Sequence, residues 1–244
     1  MLDLRNNPGG LLRAAVEASA LFLAEGKRVV STRGRNQKEE IYDAHPPQGF
    51  PQGSYPIAIL VNRYSASAAE ILAAALQDHA RAIIIGERSY GKGSVQNVIP
   101  MENGVSALKL TTASYWRPSN KNIHRFPDSK EEEDWGVRPT DGFEVKLKDE
   151  ERLNYFRWRA KRDIVRRPGE PLPKPVAEED AVPADFRDRV LDKAVEHLRE
   201  QIKKGVQQGA VPPAAPVPAA QRILPPVDVP AYHRGIVDLV STHG

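Results

Sequence analysis

The hydrophobic pattern along the chain alternates between helical and strand periods. From residue 11 to 25, Leu12, Ala15, Val16, Ala18, Leu21 and Phe22 recur at helical spacing, with Gly26 as a stop. A short strand is expected over 28–32, then a polar, Gly- and Pro-rich excursion over 33–54 that contains a brief strand at Glu40-Ile41-Tyr42. Ile57-Ala58-Ile59-Leu60-Val61 is a continuous apolar run of the kind buried on both faces of a sheet. A helix from Ser67 to about His79 follows, then a strand over 82–85 that ends at Gly86. This order predicts an α/β layered core with a mixed, partly parallel sheet flanked by helices.

Beyond Gly93 the pattern becomes strand-like on both sides of a turn. Residues 95–99 and 105–116 read as a hairpin closing through Glu102-Asn103-Gly104. A polar loop over 117–139, a short strand over 143–147 and a charged helix over 149–166 come next. Proline and charge dominate 168–183, which reads as a linker. Asp185 is expected to cap an amphipathic helix whose face holds Val190, Leu191, Ala194, Val195, Leu198 and Ile202, stopping at Gly205. The Pro- and Ala-rich remainder is expected to be disordered. The domain plan is therefore a catalytic core over 1–147, a charged helix over 148–167, a linker over 168–184, an amphipathic helix over 185–205 and a tail over 206–244. Leu2-Asp3-Leu4-Arg5 reads as the end of a strand and Asn6-Asn7-Pro8-Gly9-Gly10 as a turn into a helix, so the chain is expected to be a fragment or late start of a longer protein.

Composition narrows the chemistry. Lys+Arg 35 against Asp+Glu 32 leaves a net charge of only +3, without the one-sided basic stripe of a nucleic-acid binder. Cysteine is absent, which excludes disulfides and thiolate catalysis. The six histidines show no ligand spacing, so neither a metal nor another cofactor is expected. No apolar run reaches membrane-spanning length, and the N-terminus lacks a signal-peptide layout.

Two residues carry the candidate chemistry. Ser67-x-x-Glu70 reads as a capping box, but a serine at a helix N-terminus also lies where free backbone amides can hold an oxyanion. Lys92, between Gly91 and Gly93, could serve as its base if the Ile83-Ile84-Ile85 strand buries it and lowers its pKa. Gln96, four residues on, could accept a lysine proton and orient the amine. Asp78 shares a helix face with Ser67 but lies roughly 16 Å along the axis, which suits a salt bridge or helix-end contact. Two other motifs fail on physical grounds. Gly86-x-x-x-x-Gly91-Lys92 resembles a P-loop, yet Gly93 replaces the hydroxyl residue and a strand pattern follows where a helix should begin. Ser106-x-x-Lys109 lies in an alternating strand, where an odd separation points the two side chains to opposite faces.

Three blocks together resemble the C-terminal processing peptidases, or tail-specific proteases: Leu2-Asp3-Leu4-Arg5-Asn6-Asn7-Pro8-Gly9-Gly10-Leu11, residues 61–71 around Ser67, and residues 86–96 around Lys92. The resemblance covers about residues 1–145. It implies a serine endopeptidase with Ser67 as nucleophile, Lys92 as general base and Gln96 orienting the lysine. It also implies an oxyanion hole from the Ala68 amide and one in the Gly9-Gly10 turn, and an acidic position at Asp78. The implied substrates are unfolded or flexible protein C-terminal tails, and the implied location is the cell envelope or periplasm. Family members usually carry an export signal, a helical region and a PDZ domain upstream of the first block, and this chain is expected to be N-terminally truncated, without them. Self-association through the amphipathic helix is a further expectation. The rival readings are a non-catalytic scaffold in which Ser67 only caps its helix, and a nucleotide-binding protein with a degenerate P-loop.

Overall fold

The computed structural model describes residues 1–35, 38–48, 53–163 and 182–207. Its parallel sheet has the order β1-β4-β5, with β1 at Leu2–Asp3, β4 at Ala58–Val61 and β5 at Ile83–Gly86. The register sets Leu2 opposite Ile59 and Ile59 opposite Ile84. A second, antiparallel sheet has the order β3-β2-β7-β6, from β2 (Arg28–Gly34), β3 (Glu40–Asp43), β6 (Ser94–Met101) and β7 (Ser106–Trp116). The expected α/β core is therefore present, divided into one parallel and one antiparallel sheet.

The apolar run in β4 explains the layering. Successive side chains point to opposite faces, and all four residues of the strand are buried. Ile59 and Val61 join the core with helices α1 (Leu12–Ala20) and α2 (Ala68–Asp78), while Ala58 and Leu60 face the other way. There they meet Ile85, Val145, Val190 and Ala194, the last two from helix α4 (Arg189–Gln207). Burying a side chain of this size contributes roughly 1.5–3 kcal/mol, so α4 helps complete the sheet. The helix face expected to mediate self-association is thus largely occupied within the chain, although Ile202 stays exposed.

Several boundaries differ from the sequence reading. Helix α1 ends at Ala20, because the Ser19 carbonyl accepts from both Phe22 and Leu23 and closes the helix in a turn. Residues 143–147 form only a single parallel bridge, Gly86 with Glu144, before Lys148 leads into α3 (Asp149–Arg162). Asp188, not the exposed Asp185, bonds the first turn of α4 through Leu191 N–H, and the helix continues through Gly205 to Gln207. The expected linker lies mostly, and the expected tail almost entirely, outside the described residues. No described helix is long and apolar enough to cross a membrane.

Candidate active site

Each parallel strand ends in a loop that carries one block of the site. Residues 6–10 follow β1, 62–67 follow β4 and 87–93 follow β5, so strand order β1-β4-β5 places the three loops side by side at the carboxyl ends. The first two are laced together by side chains. Asn62 Oδ1 accepts from the Asn6 amide at 3.0 Å, and Asn62 Nδ2 donates to Asn6 Oδ1 at 2.8 Å. Ser65 donates to the Leu4 carbonyl at 2.7 Å, and the Ala66 amide to the Asn7 carbonyl at 2.9 Å. The Tyr90 amide donates to the Ser65 carbonyl at 2.9 Å, which attaches the third loop.

Ser67 occupies the turn between β4 and α2 with φ 57° and ψ −120°. That positive φ costs a non-glycine residue on the order of 1–3 kcal/mol, so the surrounding contacts must impose it. The expected capping box forms, with Glu70 Oε2 accepting from the Ser67 amide at 2.8 Å. The Glu70 amide also bonds the Ser67 carbonyl at 2.9 Å.

Glu70 does much more than cap. It is 1 % exposed, and its Oε2 also accepts from the Lys92 amide at 2.8 Å. One carboxylate oxygen thus holds the backbones of Ser67 and Lys92, and the two amides lie within twice 2.8 Å of each other. Oε1 accepts from the Gly91 amide at 2.6 Å and the Ser89 hydroxyl at 2.5 Å. Burial pushes the Glu70 carboxyl above the usual range, against these four bonds, which favour the anion. The sequence displayed a cap. Its missed signal was an acid amid the buried residues Ala69, Ile71, Ala73 and Ala74.

The structure treats the other expected site residues unequally. Gly9, at φ +96°, lies so close to the Ser67 turn that an added Cβ would be 2.7 Å from Ala68 N and 2.7 Å from Ser67 Cβ. Its amide donates to Asn7 Oδ1 at 2.9 Å, whereas the Gly10 and Ala68 amides have no acceptor among the described residues. Lys92 is exposed, contrary to the burial expected from the Ile83–Ile85 strand, because that strand ends before its loop. Gly93 pins the loop, since a Cβ there would be 2.3 Å from the His124 amide nitrogen. Lys92 and His124 are among the residues that line a groove of about 1670 Å³. Gln96 is exposed in β6 opposite Thr111 and makes no hydrogen bond to Lys92. Asp78 pairs with Arg117 at 2.6 Å and accepts from the Ser119 amide at 3.0 Å. Gly93 leads into strand β6, so no helix begins where a P-loop would need one. No cluster of metal-ligating side chains occurs among the described residues.

Comparison with known proteins matches the sequence to a family. The sequence profile of peptidase family S41 matches residues 1–137. Over 125 residues the chain is 54% identical to a carboxy-terminal-processing protease of Bartonella bacilliformis, covering 50% of this chain and 28% of that protein. It is 38% identical over 125 residues to the carboxy-terminal processing protease CtpA of Bacillus subtilis, covering 51% of this chain and 26% of that protein. The solved photosystem II D1 C-terminal processing protease superposes with a TM-score of 0.51 at 34% identity, over 59% of this chain and 34% of that one. The chain thus spans 28% and 26% of the two sequence relatives.

Proposed function

The chain belongs to peptidase family S41, and we propose that it carries the catalytic core of a serine endopeptidase acting on flexible C-terminal tails of proteins. The observation that carries this reading is the single Glu70 oxygen that holds the Ser67 and Lys92 amides beside the Gly9-Gly10 turn. The names of the relatives support the substrate class.

In this mechanism the neutral Lys92 amine takes the proton of Ser67 Oγ as that oxygen attacks the peptide carbonyl carbon. The tetrahedral oxyanion accepts from the Ala68 and Gly10 amides, each such donor typically worth about 3–4 kcal/mol. Collapse breaks the C–N bond, the leaving amine takes the proton from Lys92, and an ester to Ser67 remains. Water, deprotonated by Lys92, then releases the acid and restores the hydroxyl. Lys92 is exposed in the free chain and lines the groove, where bound substrate would cover it. Gln96 would orient the amine only after its side chain turns from the exposed face of β6. Residence in the cell envelope belongs to the same proposal.

The test is cleavage of an unstructured C-terminal peptide by the full-length protein and its Ser67→Ala and Lys92→Ala variants. Both substitutions should abolish turnover, and a slowly hydrolysed ester substrate should leave its acyl group on Ser67 in the wild type. Turnover retained in either variant would defeat the dyad.

A further inference from the structure

Helix α3 lies beyond the residues matched by the family profile, yet one of its faces touches two of the three loops that carry the site and, ahead of the third, Asp3 and Arg5. Arg152, Tyr155, Phe156 and Arg159 are spaced i, i+3, i+4 and i+7, which aligns them along the helix. Arg152 donates to Glu87 Oε1 at 3.3 Å, and Glu87 is the buried residue that opens the Lys92 loop. Arg63, from the Ser67 loop, donates to the other Glu87 oxygen at 3.3 Å. Phe156 packs on Tyr64, three residues before Ser67, with ring centroids 5.7 Å apart. Tyr155 is fully buried beneath the Arg5 guanidinium at 4.5 Å, and Arg159 pairs with Asp3 at 2.7 Å.

Arg5 immediately precedes the Asn6-Asn7-Pro8-Gly9-Gly10 turn. Its guanidinium is bound on one side by Asp3 and on the other by Asp188, each at 2.8 Å. Asp188 uses the same Oδ1 to accept from the Leu191 amide at 3.1 Å and so cap α4. A charge pair with side chains 2 % and 5 % exposed thus ties the oxyanion turn to a helix about 180 residues away in sequence.

We propose that α3 and the Asp188 end of α4 form a brace that sets the three catalytic loops in register, and that Arg152 and Asp188 are positioning residues for the peptidase site. Each acts through another side chain, and Arg152 also lines the groove that holds Lys92. Arg152 holds the Lys92 loop through Glu87, and Asp188 holds the oxyanion turn through Arg5. The kinetic part of this inference rests on the peptidase reading, whereas the loop order it predicts does not.

The experiment compares Arg152→Met, Arg152→Lys and Asp188→Asn with wild type in the full-length protein. Amide hydrogen exchange is followed in residues 6–10, 62–70 and 87–93, and kcat and KM are measured on an unstructured peptide. Loss of the brace should speed exchange in at least one of these loops by about tenfold. It should lower kcat by about 10- to 100-fold with KM within about threefold, because misplaced donors weaken the transition state more than binding. Arg152→Lys keeps a cation on Glu87 and should recover most of the loss. If Arg152→Met does not fold, Asp188→Asn carries the same readouts, because its Oδ1 still caps α4. Faster exchange confined to α3 and α4, or a KM increase with kcat unchanged, overturns the brace. Turnover by Ser67→Ala would overturn the peptidase reading and leave the exchange result standing.

Discussion

Glu70 should be the residue whose truncation most disrupts the site without removing a reacting atom. Glu70→Ala would leave the buried Gly91 amide and Ser89 hydroxyl, and the part-buried amides of Ser67 and Lys92, without their acceptor. An orphaned buried donor costs roughly 1–3 kcal/mol, and water entering the vacated space would relieve part of that, so we expect a loss of about 3–5 kcal/mol. Glu70→Gln is the sharper test because its shape is the same. If the amide oxygen faces Ser67 and Lys92, the NH2 group meets the Ser89 hydroxyl, which can turn to accept, and the Gly91 amide, which cannot. One orphaned amide costs about 1–3 kcal/mol, offset in part by removing a charge that burial disfavours. The expected order of stability is wild type, then Gln, then Ala. Urea unfolding followed by the fluorescence of Trp116, Trp135 and Trp158 reports the midpoints, and m-values show whether the native state has loosened. Peptidase activity should follow the same order, since the carboxylate sets the spacing of the Ser67 and Lys92 loops. Glu70→Ala within about 1 kcal/mol of wild type, or less damaging than Glu70→Gln, would refute the reasoning.

Gly9→Ala forces a methyl to within 2.6 Å of the Ala66 carbonyl oxygen and 2.7 Å of Ala68 N, so kcat on a peptide substrate should fall by about 100-fold or more. Wild-type kcat in that variant would remove the turn from the oxyanion hole. Asp78→Asn loosens the pair with Arg117 and should cost about 1–3 kcal/mol in thermal or urea unfolding while kcat stays within about threefold. A much larger fall in kcat would return Asp78 to the chemistry. Burial works to raise the Asp3 carboxyl, but hydrogen bonds and charge from Arg5, with the charge of Arg159, hold it below the usual range. A lowered acid pKa stabilises the fold above the unfolded value of about 3.9, and that contribution is lost as pH falls through the folded value. The stability gap between wild type and Asp3→Asn should therefore be full near neutral pH and close below about pH 4, as read by unfolding across a pH series. A gap that persists to about pH 2 would contradict this assignment.

The sequence alone determined what depends on neighbours along the chain. The continuous apolar run of β4, the Ser67 helix start, the Glu102-Asn103-Gly104 reversal and the three blocks of the site are local patterns, because pleat, helical period and turn chemistry act within a few residues. The short range of those signals also explains their failures. A Pro-rich stretch precedes α4, which concealed that its apolar face belongs to the core of the parallel sheet. Helix α3 reads only as a charged helix, although its Arg152, Tyr155, Phe156 and Arg159 row contacts residues that lie far from it in sequence. An apolar strand before Lys92 could not bury it, because burial depends on where the loop leaves the sheet. Glu70 shows the division within one side chain. Its bond to the Ser67 amide is a local capping interaction, and its bonds to Ser89, Gly91 and Lys92 exist only because strand order sets the β5 loop beside the β4 loop. A buried carboxylate has to be satisfied by whatever donors the fold brings to it, and only the tertiary structure decides which those are.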